Sequence, residues 1–385
     1  MDTNRDRSHA ILHYMPYDKL PVVHFGYWTE TLIKWAQEGH ISMDDAQGWS
    51  DGTPVCKRIS DKLGFDFAWF NAFPGFGLLH PLFERRVLRT LSDGSREVMN
   101  IDGVVVLEKD EAGSIPSEIE HTLKDTESWK KHYKPRLQFC QERITKAPVN
   151  TGDEFLPFDA GGLEFLKRQD RENPVALMLG SLLGRIRDWV GVVGLSYMMF
   201  DNEALLDEMI ETVSDLCYQQ AEYILKQGAV FDFAHYWEDI CFKNGPLVSP
   251  DFFDQKIGPH YKRLSELVNR YGIDIISVDC DGLIDRLIPT WLDNGVNTMF
   301  PVEVGTWNAS IRPWREKYGR AIRGVGGMNK VVFAHDYAAI DAEVERLKPL
   351  VELGGYIPCP DHRIAPDAKW ENVQYYCEKM RKTFS

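Results

Sequence analysis

Eight short apolar runs spread along almost the whole chain do most to constrain its fold. They read LPVVHF (20–25), FDFAWF (65–70), PVALMLG (174–180), AVFDFAH (229–235), IDIISVD (273–279), NTMFPV (297–302), AIRGVGG (321–327) and GGYIPCP (354–360). Strands covered on both faces need such near-continuous apolar runs, whereas a half-exposed strand would alternate. Between most of them lie stretches of helical period, among them 203–228 and 249–272, the latter opening with Ser249 placed as a cap and Pro250 at the first helical position. Strands alternating with helices imply a parallel sheet, and eight such units predict a closed (β/α)8 TIM barrel. With 385 residues the chain can fill one large barrel, and a single domain over 1–385 is the expectation.

Two regions break the rhythm. Residues 86–110 alternate at period two around Asp93-Gly94 and Asp102-Gly103, which are hairpin turn signals, and predict an inserted β-meander. Residues 111–160 are polar and punctuated by Pro116, Pro135, Pro148 and Pro157, and read as a helix with connecting loops over the barrel mouth.

Composition narrows the partners. Lys and Arg number 44 against 58 Asp and Glu, a net charge of −14, and the basic residues form no run, which argues against nucleic acid and anionic membrane. The seven cysteines are scattered, odd in number and without a C-x-x-C pair, so neither a disulfide framework nor a zinc ribbon is expected and a reducing cytoplasm fits. The first residues carry no apolar targeting core, and the longest apolar stretch, PVALMLGSLLG, meets Arg185 well short of the ~20 residues a membrane span needs. A soluble cytoplasmic protein is expected, and a homo-oligomer is compatible with everything in the composition.

In a TIM barrel the chemistry sits where the strands end. Those ends carry His24 and Tyr27, Asn71, Ser181, His235 and Glu238, then Asp279, Cys280 and Asp281, then Glu303, Asn329, and finally Cys359, Asp361 and His362. Singly, each has an ordinary explanation. His235 reads as a core histidine, Glu303 as a partner for Arg312 or Arg323, Cys359 as a small hydrophobe, and Asp281 as the cap of a helix running through Leu283, Ile284, Leu287 and Ile288. Together, carboxylates, a thiol and imidazoles on one face suggest a metal site or an acid/base site. Asp279, His235, Glu238 and Asp281 are the candidate catalytic groups. Phe25, Tyr27, Trp28, Asn71, Phe73 and Tyr236 are candidate substrate contacts, because the tips FGYW and FNAFPGFG, the second including Phe76, lie beyond strand ends where an aromatic pocket would be built.

Several longer stretches carry a resemblance. GGYIPCPDHRIAPDAKWENVQYYCEKMRK (354–382), GSLLGRIRDWVG from Gly180, GAVFDFAHYWEDI (228–240), SPDFF from Ser249 and GVGGMNK (324–330) resemble the uroporphyrinogen decarboxylase superfamily, over roughly residues 15–382. The resemblance implies a (β/α)8 barrel and either of two chemistries: decarboxylation of a polycarboxylate tetrapyrrole, or corrinoid-linked methyl transfer. The decarboxylase branch carries arginines near the first strand, suited to gripping carboxylates; here no arginine stands between Arg7 and Arg58. The methyltransferase branch holds zinc with a His-x-Cys pair after a middle strand and a Cys in the last loop. Matched onto this chain, the pair becomes Asp279 flanked by Val278 and Cys280, and the last-loop Cys becomes His362, so the resemblance implies zinc on Cys280, His362 and Glu303 or Asp279. DCDG and PDHRIAPD are similar to the proteins that demethylate substrates such as aryl methyl ethers. No D-x-H-x-x-G motif surrounds any of the 11 histidines, so a separate corrinoid protein docking over the mouth is implied. The alternatives are a cofactor-free decarboxylase of another carboxylic acid and a non-catalytic binding barrel.

Overall fold

All eight apolar runs form strands of one parallel barrel. A computed structural model describes residues 2–75, 77–109 and 116–385; Phe76 and the junction at 110–115 lie outside the described residues. The first strand, Val23–His24, pairs with Phe67–Ala68 of the second. The second strand then breaks at Trp69–Asn71 and resumes as Ala72–Phe73, which pairs with the third, Ala176–Gly180. Phe233–Trp237, Ile276–Asp279, Thr298–Val302, Arg323–Met328 and Tyr356–Pro360 follow, each parallel to the strand before it. The ring closes just past the eighth strand, where Ile364 N–H donates to the Gly26 carbonyl at 3.0 Å and Trp28 N–H donates to the Ile364 carbonyl at 3.2 Å. Closure leaves no free edge in the wall, which suits strands this apolar.

Helices cover the outside. Glu203–Lys226 buries Leu206, Met209, Val213 and Leu216 at helical spacing. Ser249 caps as its sequence position implies, its hydroxyl accepting from Phe252 N–H at 3.1 Å, and the helix Pro250–Lys256 leads into Gly258–Asn269. Among the described residues no helix is long and apolar enough to cross a membrane.

The 86–110 stretch contributes Arg86–Thr90, Arg96–Met99 and Val104–Glu108 to a separate antiparallel sheet with its own small core of Val98, Val104 and Val106. Its turns depend on Gly94 and Gly103, both in the left-handed region at φ +82° and +81°. The sheet has a fourth strand, Ser117–His121, inside the stretch expected to be helix and loops. SEIEH is exposed along most of its length and has no apolar face to announce it; ladder pairing with Val104–Leu107 holds it in place. The remainder of that stretch holds short helical turns and a hairpin of Pro148–Asn150 with Phe155–Pro157.

The fifth strand stops at Asp279 for a local reason. Gly282 lies at φ +89°, and a Cβ there would stand 2.7 Å from the Cys241 carbonyl. The chain therefore turns hard against the short hairpin Cys241–Phe242/Gly245–Pro246, with Leu283 N–H donating to the Phe242 carbonyl. The next helix begins only at Ile288. Asp281 thus caps nothing, and its carboxylate is free for another partner.

Candidate active site

Strand parity decides which strand-end residues face the mouth. On the fourth strand Phe233, His235 and Trp237 point into the barrel, while Tyr236 and Glu238 point out toward Tyr261 of the covering helix; the Tyr236 and Tyr261 rings are 4.4 Å apart. Register aligns Trp237 with Asp279 and Asp279 with Phe300, so Asp279 faces inward. Cys280, one residue on, faces outward: Ile240 N–H donates to its Sγ at 3.4 Å and the Cys241 thiol lies beside it.

Asp279 is 4% exposed, and no described residue donates a hydrogen bond to its carboxyl. Burial, reinforced by the neighbouring carboxylates of Asp281 and Asp239 and opposed by Arg363, holds its pKa well above the usual carboxylic range. Beside it the Asp281 Oδ2 stands 3.2 Å from His362 Nε2, and Asp281 Oδ1 is buried without a partner. His362 stacks on Trp28 at 5.3 Å and 22°, and meets Phe25 edge-on at 5.3 Å. The mouth thus brings together Asp279, Asp281, His362, Phe25 and Trp28 of the expected set.

Three other strand-end carboxylates are loop staples. Glu238 accepts from Leu182 N–H (2.8 Å), Leu183 N–H (3.0 Å), Gly184 N–H (2.7 Å), the Ser181 hydroxyl (3.1 Å) and the Tyr261 hydroxyl (2.5 Å). It therefore satisfies the chain leading into the helix Gly184–Asp201 and the helix's first N–H, which has no partner within the helix. Glu303 accepts from Gly282 N–H (2.6 Å) and the Thr306 hydroxyl (2.8 Å), not from Arg312 or Arg323, whose guanidiniums go to the carbonyls of Pro349 and Leu12. Asp361 ties three loops by accepting from Val304, Gly305 and Lys330 N–H. Sequence position alone does not distinguish such staples from catalytic groups, since both are acidic and end strands.

The remaining expected residues are structural. Tyr27 is buried against Trp35 and Trp49, and Phe73 stacks on Phe158 at 5.4 Å. Asn71 donates to the Pro174 carbonyl and accepts from Asn150. The Tyr236 ring lies outside the barrel wall, as parity requires. His24 is fully buried, with Ser60 on one ring nitrogen and Gly26 N–H on the other. Asn329 caps the short helix Lys330–Ala334, and Cys359 is buried in the last strand. His235 is inside the barrel but deeper than Asp279, boxed by Phe70, Phe300 and Phe233 at 5.3, 5.9 and 6.1 Å, and burial pushes its pKa down to about 3.

The trio Cys280, His362 and Glu303 does not fit zinc. Cys280 turns out of the mouth, Glu303 is engaged by Gly282 and Thr306, and only His362 looks inward. Among the described residues no group of three or more His, Cys, Asp or Glu side chains is placed to hold a metal ion.

Sequence reasoning missed the cations of the mouth. Arg363 bonds both oxygens of Asp51 at 3.0 and 2.5 Å, over the rings of Trp49, Phe25 and Trp28. Arg187 bonds Asp239 at 3.0 Å and pairs with Asp188 at 3.2 Å. Lys330 lies near Asp361, Glu303 and Asp281, with burial lowering its pKa. The arginine-free stretch after Arg7 was a poor guide because these cations come from later strand ends. Both arginines are nonetheless matched to carboxylates of the protein itself, and the pocket keeps an excess of acid.

Residues 189–383, just over half the chain, match the uroporphyrinogen decarboxylase (URO-D) family. Among solved structures, a methyltransferase from Methanosarcina mazei is similar in fold, with a TM-score of 0.59 and 15% identity over 100% of both chains. No curated protein matches the sequence.

Proposed function

The chain belongs to the uroporphyrinogen decarboxylase family, and on that premise we propose that it is a cytoplasmic methyltransferase component, moving a methyl group from a small aryl methyl ether to a corrinoid carried by a separate protein. The single observation that carries this reading is Asp279: a buried, inward-facing carboxyl with no hydrogen bond from any described residue and a pKa held up by burial, with Asp281 and Asp239 adding to it. A carboxyl whose pKa is raised by burial holds its proton to higher pH than an ordinary one and so serves as a proton donor. Ether cleavage needs one. As the methyl–oxygen bond breaks, the methyl group leaves for the partner's nucleophile, the oxygen keeps the bonding pair, and Asp279 supplies the proton that turns the phenoxide into a phenol.

Asp281 and His362 sit beside the donor as a hydrogen-bonded pair that can return the proton from solvent, and Phe25 and Trp28 offer flat surfaces to a planar ring. No step is assigned to zinc. The excess of carboxylate disfavours a polyanionic substrate, whose charges would lose water and find arginines already paired.

The test mixes purified protein with a reduced corrinoid protein and a panel of methoxylated aromatics, methylamines and methyl thioethers, and follows the corrinoid's visible spectrum. Methylation by a methoxylated aromatic, with the matching phenol appearing in equal amount, is the expected result. Release of carbon dioxide from a carboxylated substrate with no corrinoid present would establish the decarboxylase reading instead.

A further inference from the structure

One register step below Asp279 the barrel wall holds two polar side chains that no described residue hydrogen-bonds. Register sets Met178 beside His235 and His235 beside Ser277, all three on the inner surface. Both ring nitrogens of His235 and the Ser277 hydroxyl are buried without a hydrogen-bond partner; the residues are 1% and 0% exposed. Native interiors pair nearly all such groups, so two orphans side by side mark a place where something else supplies the hydrogen bonds. Met178 and Phe70 flank the same layer and are only partly buried.

The chemistry of the layer is narrow. Burial keeps the imidazole neutral, so it offers one N–H donor and one nitrogen acceptor, and the serine hydroxyl both donates and accepts. Among the described residues no cation contacts His235 or Ser277 to match an anion. Phe70, Phe233 and Phe300 surround the imidazole with ring faces and edges. The best-matched occupant is a neutral hydroxyl on an aromatic ring. From Ser277 to Asp279 is a two-residue step of the strand, ~6.6 Å at ~3.3 Å per residue, a little longer than the separation of two para oxygens on a benzene ring, so one such ring can address both levels.

We propose that His235 and Ser277 form a socket for a free phenolic hydroxyl, so that the methyl donor is a 4-methoxyphenol type of molecule with its ether oxygen at Asp279 and its hydroxyl on the barrel floor. The donor's identity rests on the methyltransferase reading; the socket does not. His235 and Ser277 are specificity residues in this arrangement, and proton transfer stays with Asp279.

Calorimetric binding of 4-methoxyphenol, anisole and 4-methoxybenzoate to the protein alone tests the socket without any corrinoid partner. The expected order places 4-methoxyphenol at least about tenfold tighter than either competitor, a margin of ~1.4 kcal/mol. Ser277→Ala and His235→Leu each lose about tenfold for 4-methoxyphenol and nothing for anisole, while His235→Gln, which keeps a donor and an acceptor, stays within a few-fold of wild type. The comparison of the three ligands on the unmutated protein stands even where a His235 variant fails to fold. Equal affinity for anisole, or no binding of 4-methoxyphenol at millimolar concentration, overturns the socket and leaves those groups to ordered water. Binding in the expected order with no methyl transfer keeps the socket and defeats the methyltransferase reading. Wild-type methyl transfer from 4-methoxyphenol by Ser277→Ala and His235→Leu does the reverse.

Discussion

Replacing Glu238 separates a staple from a catalyst. Its position at a strand end made it a candidate acid/base group, yet its two oxygens accept five hydrogen bonds, three of them from the consecutive N–H groups of Leu182, Leu183 and Gly184. Burial pushes its pKa up, and the hydrogen bonds from Tyr261, Gly184, Leu182 and Leu183 oppose that rise. Glu238→Ala leaves three buried N–H groups without an acceptor, which at ~1–3 kcal/mol each is about 3–9 kcal/mol. Glu238→Gln keeps one oxygen for Ser181, Leu183 and Gly184 but turns an amide NH2 toward Leu182 N–H, a loss of about 1–3 kcal/mol. With an unfolding entropy of ~2.1 cal/mol/K per residue over 385 residues, each kcal/mol shifts Tm by about 1.2 °C. Melting followed by circular dichroism should therefore show drops of about 4–11 °C for Ala and about 1–4 °C for Gln, on the same conversion. Folded Glu238→Gln should keep methyl transfer within a few-fold of wild type. Two variants that melt with the wild type and transfer no methyl group would refute the staple and restore Glu238 to the chemistry.

Asp279 and Gly184 carry the remaining tests. Asp279→Asn should lower the rate by ~10²–10⁴. Because the pKa of Asp279 is raised, its proton persists above the usual carboxylic range, so the wild-type rate falls as pH rises through that value and the Asn variant shows no such limb. The same sign governs stability: above the ordinary carboxyl pKa the unfolded Asp ionises more readily than the folded one, so Asp279→Asn should be the more stable protein at pH 8 and no different at pH 3, by urea denaturation. Gly184→Ala should yield no soluble folded protein, since its Cβ would lie 1.9 Å from the Glu238 carbonyl oxygen. Gly48→Ala, with nothing within 4 Å of its added Cβ, serves as the neutral control within about 0.5 kcal/mol.

The sequence by itself determined the barrel. Runs such as IDIISVD are too apolar to face water on either side, and eight of them separated by amphipathic helices admit few architectures other than a closed parallel ring. It also placed Asp279, Asp281 and His362 at one end, because a parallel barrel gathers all its strand ends on the same face. What it could not decide was which way each side chain points. Cys280 and Glu238 are one residue out of phase with the mouth, and a one-residue step on a strand reverses the face. Parity is set by pairing with neighbouring strands, which no local stretch encodes. Nor could it show that Arg363, just past the eighth strand, meets Asp51 from a loop more than 300 residues away, or that Asp281 is freed from capping by a turn packed against the Cys241–Pro246 hairpin. Those facts arise from tertiary contact alone, where burial and shared hydrogen bonds assign one carboxylate to hold a loop together and leave another buried, without a hydrogen bond and with its pKa raised.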